Sequence, residues 1–251
     1  MCCFSGPVES VTNTNIFARS VDGGRQLLVY AMNFSTKNDV AMILPLPVPA
    51  GVAEDAVRFI SLKEYKEFFR DLKRGFPEPR FLSAGGTRAA KPEAVPAAAP
   101  LKVVDVGEFE ASFVPTLKDF SRLDARFRLP DQTWEQLPSY KGYGFAVFKL
   151  KKEATSAHPM AFEFPRADAS KVFFPTVHIH DGQVHPQADF DHTLYCQKRE
   201  GERTSLPDWR ESPLLAAEFM QFQKAQGIID AQAHCYMKRL AGQRKNEDVL
   251  V

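Results

Sequence analysis

Four of the six histidines lie between residues 178 and 192, in the run VFFPTVHIHDGQVHPQADFDHTLYC. Imidazole binds transition metals and exchanges protons near neutral pH, so spacing decides what these four could do. Asp181-Gly182 is a strong two-residue hairpin signal, because a type I′ turn needs positive φ at both central positions. Such a turn sets His180 opposite Gln183 and His178 opposite His185. Strand alternation then sends His178, His180 and His185 to one face, and Phe173, Val177, Ile179, Val184, Ala188 and Phe190 to the other. Same-face neighbours on a strand are roughly 6.6 Å apart and cross-strand partners about 5 Å. From there three imidazoles can converge on one ion at about 2.0–2.1 Å. The expected cofactor is a divalent metal, zinc or iron, with Asp181 in the turn as a fourth ligand. Asp189 and Asp191 share the face but lie too far along the strand, and His192 falls on the apolar side. The plainer alternative is a solvated polar face that holds no metal.

The N-terminus offers a second chemistry. Removal of Met1 ahead of a small residue would leave a free α-amine beside the Cys2 thiol. With a pKa of roughly 7.7–8.0, that amine can take the thiol proton. Over the first 22 residues, Met1-Cys2 followed by IFARSVD resembles the cysteine N-terminal nucleophile hydrolases of the choloylglycine hydrolase type. The resemblance implies amide hydrolysis, with Cys2 as nucleophile and Arg19 and Asp22 orienting its amine. Apart from it, Cys2 and Cys3 read as two small apolar side chains on an N-terminal strand.

Composition narrows the classes. The chain has 251 residues, 44% hydrophobic and 25% charged, as in ordinary globular proteins. Lys and Arg (32) nearly balance Asp and Glu (31), so no global field draws the chain to nucleic acid or an anionic membrane. No apolar run approaches the roughly 20 residues that span a bilayer. The start, MCCFSGPVES, has neither a basic segment nor an apolar stretch, so a cytoplasmic protein with reduced thiols is expected. The cysteines (Cys2, Cys3, Cys196, Cys235) form no CxxC pair, which argues against a zinc finger. Phe outnumbers Tyr by 21 to 6, and Phe carries no polar handle, so the core should be built from aromatic packing.

Several elements must carry these candidates. Strands are expected at residues 25–34, 40–48, 101–106, 109–114, 143–150 and 159–164, with helical turns near 117–123 and 131–137. Pro45, Pro47 and Pro49 remove alternate ladder donors, so that end of its strand should be an edge or leave the sheet. Ser61 and Glu64 suggest a capping box for a helix with the stripe Leu62, Tyr65, Phe68, Phe69 and Leu72, stopped by Gly75 and Pro77. The Ala/Pro-rich stretch 83–100 reads as a flexible loop. Ser212 and Pro213 suggest the start of a long C-terminal helix to about Leu240, with the stripe Leu215, Phe219, Phe222, Ile229, Ala233, Tyr236 and Leu240.

The segments LLVYAMNF, VAMILPLPVP and AVRFISL echo GFAVFKLK, PMAFEFP and KVFFPTVHI, which suggests two copies of one β-unit. The expected fold is α+β over a single domain, 1–251: mainly antiparallel sheet with a long C-terminal helix. The Cys-Cys start, the strand VAMILPLPVP and FFPTVHIHDG resemble bacterial proteins of uncharacterised families, which implies no activity. Three functions follow. One is a binding or interaction protein of unknown partner. The others are a metal-dependent hydrolase or oxidase using His178, His180 and His185, and an amide hydrolase using Cys2.

Overall fold

Runs that are apolar at nearly every position dominate the chain, and they form strands covered on both faces. The computed structural model describes residues 2–77, 103–107, 109–150, 158–179, 183–198 and 206–251. The expected loop at 83–100 lies outside them. The chain begins with five strands: β1 (Cys2–Phe4), β2 (Ser10–Val21), β3 (Arg25–Ser35), β4 (Val40–Leu46) and β5 (Arg58–Ser61). A short helix α1 (Phe68–Arg74) follows, then β6 (Val104–Val106) and β7 (Phe109–Val114). Beyond α2 (Asp131–Glu135) come β8 (Gly144–Leu150), β9 (Met160–Pro165), β10 (Phe173–Phe174) and β11 (His178–Ile179). The last strands are β12 (Gln187–Gln197), β13 (Arg210–Leu215), β14 (His234–Lys245) and β15 (Val249–Leu250).

Two sheets stack face to face. One has the order β11-β1-β4-β8-β7-β6, the other β13-β14-β12-β2-β3-β9-β5, and β10 with β15 forms a two-stranded ribbon. Pairing is antiparallel except for β1 with β11 and β2 with β12. Met42 and Leu44 from the first sheet meet Ile16, Leu28, Tyr30 and Leu194 from the second in the main core. Aromatic rings bridge the layers, as Phe148 of β8 does to Phe162 of β9 with centroids 5.8 Å apart. The outer face of the seven-stranded sheet is covered by α1 and residues 216–229, and that of the six-stranded sheet by the turns between residues 117 and 140. The phenylalanine-rich composition is thus spent on a layered aromatic core. Pro45 is tolerated within β4 because β1 pairs with that strand only at Met42 and Ile43, so the missing N–H falls beyond the pairing.

The fold is mainly β, and the long C-terminal helix is not there. Residues 210–215 and 234–245 are strands, separated by a 3-10 turn at Ala216–Glu218 and a tight loop. Gln226 and Gly227 both take positive φ (49° and 79°), which no helix accommodates. The residues that read as a helical stripe instead fill the outer core from that loop, as Phe219 and Ile229 do, while β14 pairs with β12 from Cys196↔Tyr236 to Gln187↔Lys245. Tertiary pairing outweighs the helix propensity of this Ala- and Gln-rich stretch. The echoed segments correspond in part: β3 pairs with β9 as β8 does with β4, whereas β5 pairs with β9 and β10 pairs with β15 rather than with β4. The N-terminal helix exists in shortened form, because Ser61 closes β5 and its hydroxyl accepts from Lys63 N rather than capping at Glu64. Among the described residues no helix is long and apolar enough to cross a membrane.

Candidate binding cleft

The site begins where two parallel strands part. β2 and β12 pair from Thr14↔His192 to Arg19↔Gln197. Before Thr14, β2 turns away with β3 through a bulge, where the register shifts between Thr12 and Asn15. Asn13 sits at the bulge with φ 52°, a conformation Asn adopts more readily than most residues. Its amide N–H donates to Asp191 Oδ2 at 3.0 Å, and its own carbonyl accepts from Asn15 Nδ2 at 2.8 Å. β12 meanwhile continues on β14, its one strand partner there among the described residues.

The divergence opens a cleft of about 400 Å³. β2 lines it with Val11 and Thr14, β12 with Gln187, Ala188, Asp189, Asp191 and His192, and His178 and His185 complete the lining. His178 and His192 lie ring to ring, with centroids 4.6 Å apart, and Phe190 stands 4.6 Å from His178 and 5.2 Å from His192. His192 is 1% exposed, His178 half-buried and His185 exposed. Arg239 Nη2 approaches Asp191 Oδ1 at 3.9 Å across the outer face.

The geometry revises the expected hairpin. β11 belongs to the six-stranded sheet and β12 to the seven-stranded one, so His178 and His185 do not face each other across paired strands. The apolar set divides accordingly: Val177, Ile179 and Val184 pack on the outer core, whereas Ala188 and Phe190 pack between the sheets. His180 and Asp181 lie outside the described residues. Among the described residues no three His, Cys, Asp or Glu groups are arranged to hold a metal ion.

What joins the two histidine segments is Asn246. Its side-chain amide donates to the carbonyls of His178 and His185, both at 2.9 Å, and its Oδ1 accepts His178 N–H at 2.7 Å. Asp248 continues the clasp, accepting the N–H groups of Thr176 (2.8 Å) and Val177 (3.1 Å) and the Tyr140 hydroxyl (2.6 Å). Burial, then the neighbouring Asp248 charge, pushes the Tyr140 hydroxyl far up, so it serves as a fixed donor. Val249 and Leu250 then pair with Phe174 and Phe173. Nothing local in the sequence announces this clasp, because its partners are 61 to 108 positions away.

The N-terminal candidates lie elsewhere. Cys2 contributes its backbone to β1, in register with His178. Arg19 projects from the outer face of the other sheet, donating to Ile228 O at 2.9 Å and Gly227 O at 2.6 Å. Asp22 is exposed at the β2–β3 turn. Arg19 and Asp22 therefore belong to the seven-stranded sheet and Cys2 to the six-stranded one. Cys3, Cys196 and Cys235 are buried. Burial pushes the Cys235 thiol up to about 12.

No protein-family profile matches the chain. Among solved structures, a mutated baculovirus P35 after caspase cleavage aligns with a TM-score of 0.49 and 14% identity, over 95% of this chain and 99% of that one. Baculovirus P35 aligns at 0.47 with 14% identity, over 97% and 96% of the two chains. The caspase-8/P35 complex gives 0.48 and 13% identity, over 95% of each.

Proposed function

We propose that the protein is a non-catalytic binding protein whose ligand occupies the cleft between β2 and β12. The supporting observation is the parting of two paired strands around a space of about 400 Å³, within the size range of ligand pockets. Most of its lining comes from β2 and β12, which are set by long ladders, so the site is formed before any ligand arrives. Strained and bulged backbone, as at Asn13, concentrates at such places. A screen of small fragments read by ¹H–¹⁵N correlation spectra tests the reading. Shifts should cluster on the amides of residues 11–15 and 187–193, and Ala188→Trp, which puts a large ring in the lining, should abolish them. Shifts scattered over β8 and β9, or none at all, refute it.

A metal-dependent hydrolase or oxidase is the second reading, favoured by the placement of His178 and His185 on this same cleft. Stoichiometric zinc or iron in untagged protein, lost in the His178→Ala/His185→Ala variant, would put this reading first.

A further inference from the structure

Resting on the cleft reading, we infer that residues 246–251 form a detachable strap that holds one side of the cleft in place. Strap and cleft open together while both sheets stay folded. Two observations carry the inference. The first is how the strap is held. From Asn246 to Val251 no residue is fully buried, and Glu247 and Leu250 are exposed. The residues it grips are buried: Phe173, Phe174, Thr176 and Val177. Hydrogen bonds supply that grip. Asp248 accepts the amides of Thr176 and Val177, and the Glu247 carbonyl accepts the Thr176 hydroxyl at 2.7 Å. Val251 exchanges two bonds with Val172, at 2.6 and 3.0 Å. A segment that buries so little apolar surface of its own opens at a lower free energy than the core strands.

The second observation is what the strap ties together. The Asn246 side-chain amide donates to the carbonyls of His178 and His185, which both line the cleft, and its backbone N–H donates to Pro186 O at 3.0 Å. β11, which carries His178, belongs to the six-stranded sheet, whereas residues 185–186 lead into β12 of the seven-stranded one. Among the described residues β11 has one strand partner, β1, over two register positions. Asn246 therefore spans the gap between the sheets on this side of the cleft. Lifting the strap removes that tie and lets the His178 ring leave Phe190 and His192, whose centroids are each 4.6 Å away. Linkage is reciprocal: a ligand that grips His178 and His185 together holds the strap down, and a strap pulled away weakens that ligand.

The test is amide hydrogen exchange of the whole chain, read by NMR in the parent protein, Asp248→Ala and Val249→Pro. Neither position lines the cleft. Asp248→Ala removes the acceptor of two amides and of the Tyr140 hydroxyl. Val249→Pro keeps Asp248 and deletes a donor of the β10–β15 ladder. In the parent, Val172, Thr176, Val177 and His178 should exchange as one group, faster than β3 and β8 and with little dependence on urea, as a local opening does. Each variant should speed that group about ten-fold or more, through the loss of one to three hydrogen bonds. The amides of Ala188 and His192 should shift in both variants, with the spectrum of β3 and β8 retained. Exchange of the group only together with β3 and β8, or collapse of the whole spectrum in both variants, would make the strap part of the core and overturn the inference. Faster exchange at Val172, Thr176 and Val177 with His178, Ala188 and His192 unmoved would overturn the coupling to the cleft. If fragments shift the cleft amides and the strap fails these tests, the cleft reading stands alone. If strap and cleft open together in a protein that binds no fragment, the ligand reading fails and the strap stands.

Discussion

Asn246→Ala removes one side chain and three hydrogen bonds, two to the His178 backbone and one to His185 O. Each such bond contributes about 0.5–1.5 kcal/mol net. The three are not equal. His185 is exposed, so its carbonyl rehydrates at little cost, whereas β11 lies half-covered against the core and its groups re-solvate poorly. Counting the two His178 bonds near the middle of the range and the third near the bottom gives a loss of about 2–3 kcal/mol. Asn246→Asp should be at least as damaging, because it keeps the acceptor for His178 N–H but turns an oxygen toward two carbonyls. The assay is equilibrium urea unfolding, with the midpoint falling and the slope unchanged. Amide exchange at His178 should accelerate in step, and the bond from Asn246 N to Pro186 O should persist. A loss below about 0.5 kcal/mol, the range of ordinary surface substitutions, would refute the reasoning. The two histidine segments would then be held together by something other than this amide.

Three further outcomes are expected. A Cβ on Gly75 would fall 2.5 Å from the Phe219 ring, so Gly75→Ala should cost about 1–3 kcal/mol in urea unfolding, and a second change, Phe219→Leu, should recover part of it; no loss would mean that the ring moves freely. Burial pushes the Glu163 carboxyl up, but hydrogen bonds from Arg58 and Arg25, and then their charges, outweigh this and hold it below the usual range. A depressed carboxyl stabilises the fold above its unfolded value, so Glu163→Gln should cost about 1 kcal/mol at neutral pH, and its gap from the parent should close as the pH falls through about 4; a gap that widens in acid would contradict the sign. Cys3, Cys196 and Cys235 should resist a thiol reagent in the native protein at mildly alkaline pH and react on unfolding, as read by peptide mass mapping; native labelling of Cys235 would contradict its burial.

Six of the strands were legible because their signal is local. Residues 25–34 and 143–150 are apolar through their centres and became β3 and β8 almost to the residue. The 3-10 turn at Leu117–Arg122 and α2 likewise fall within their expected segments. The C-terminal region misled for a physical reason. Between Ser212 and Leu240 the chain is rich in helix formers and poor in β-branched residues, and its strand character comes from the ladder offered by β12. At the site, alternation correctly placed His192 with Phe190, but the face they share is the one His178 joins. That meeting depends on which sheet each strand enters, and sheet membership is not written in periodicity. Asn246 was invisible for the same reason: an Asn near a strand end is unremarkable until its partners are known.

The parallel pairing of β2 with β12 bears on how quickly the chain can fold. The contact from Asn13 to Asp191 spans 178 positions, and the register beside it is equally remote. Loop-closure entropy must be met before such contacts give anything back, so topologies dominated by them fold slowly. β2 can pair at once with β3, its neighbour in sequence, but its other flank stays unpaired while β12 is missing. On a ribosome, β2 and β3 therefore emerge with one open flank, and the sheet closes only after β12 and β14 have been made. Expression yield should accordingly be limited by association of incomplete sheets rather than by native stability, and should improve when synthesis is slowed or cooled.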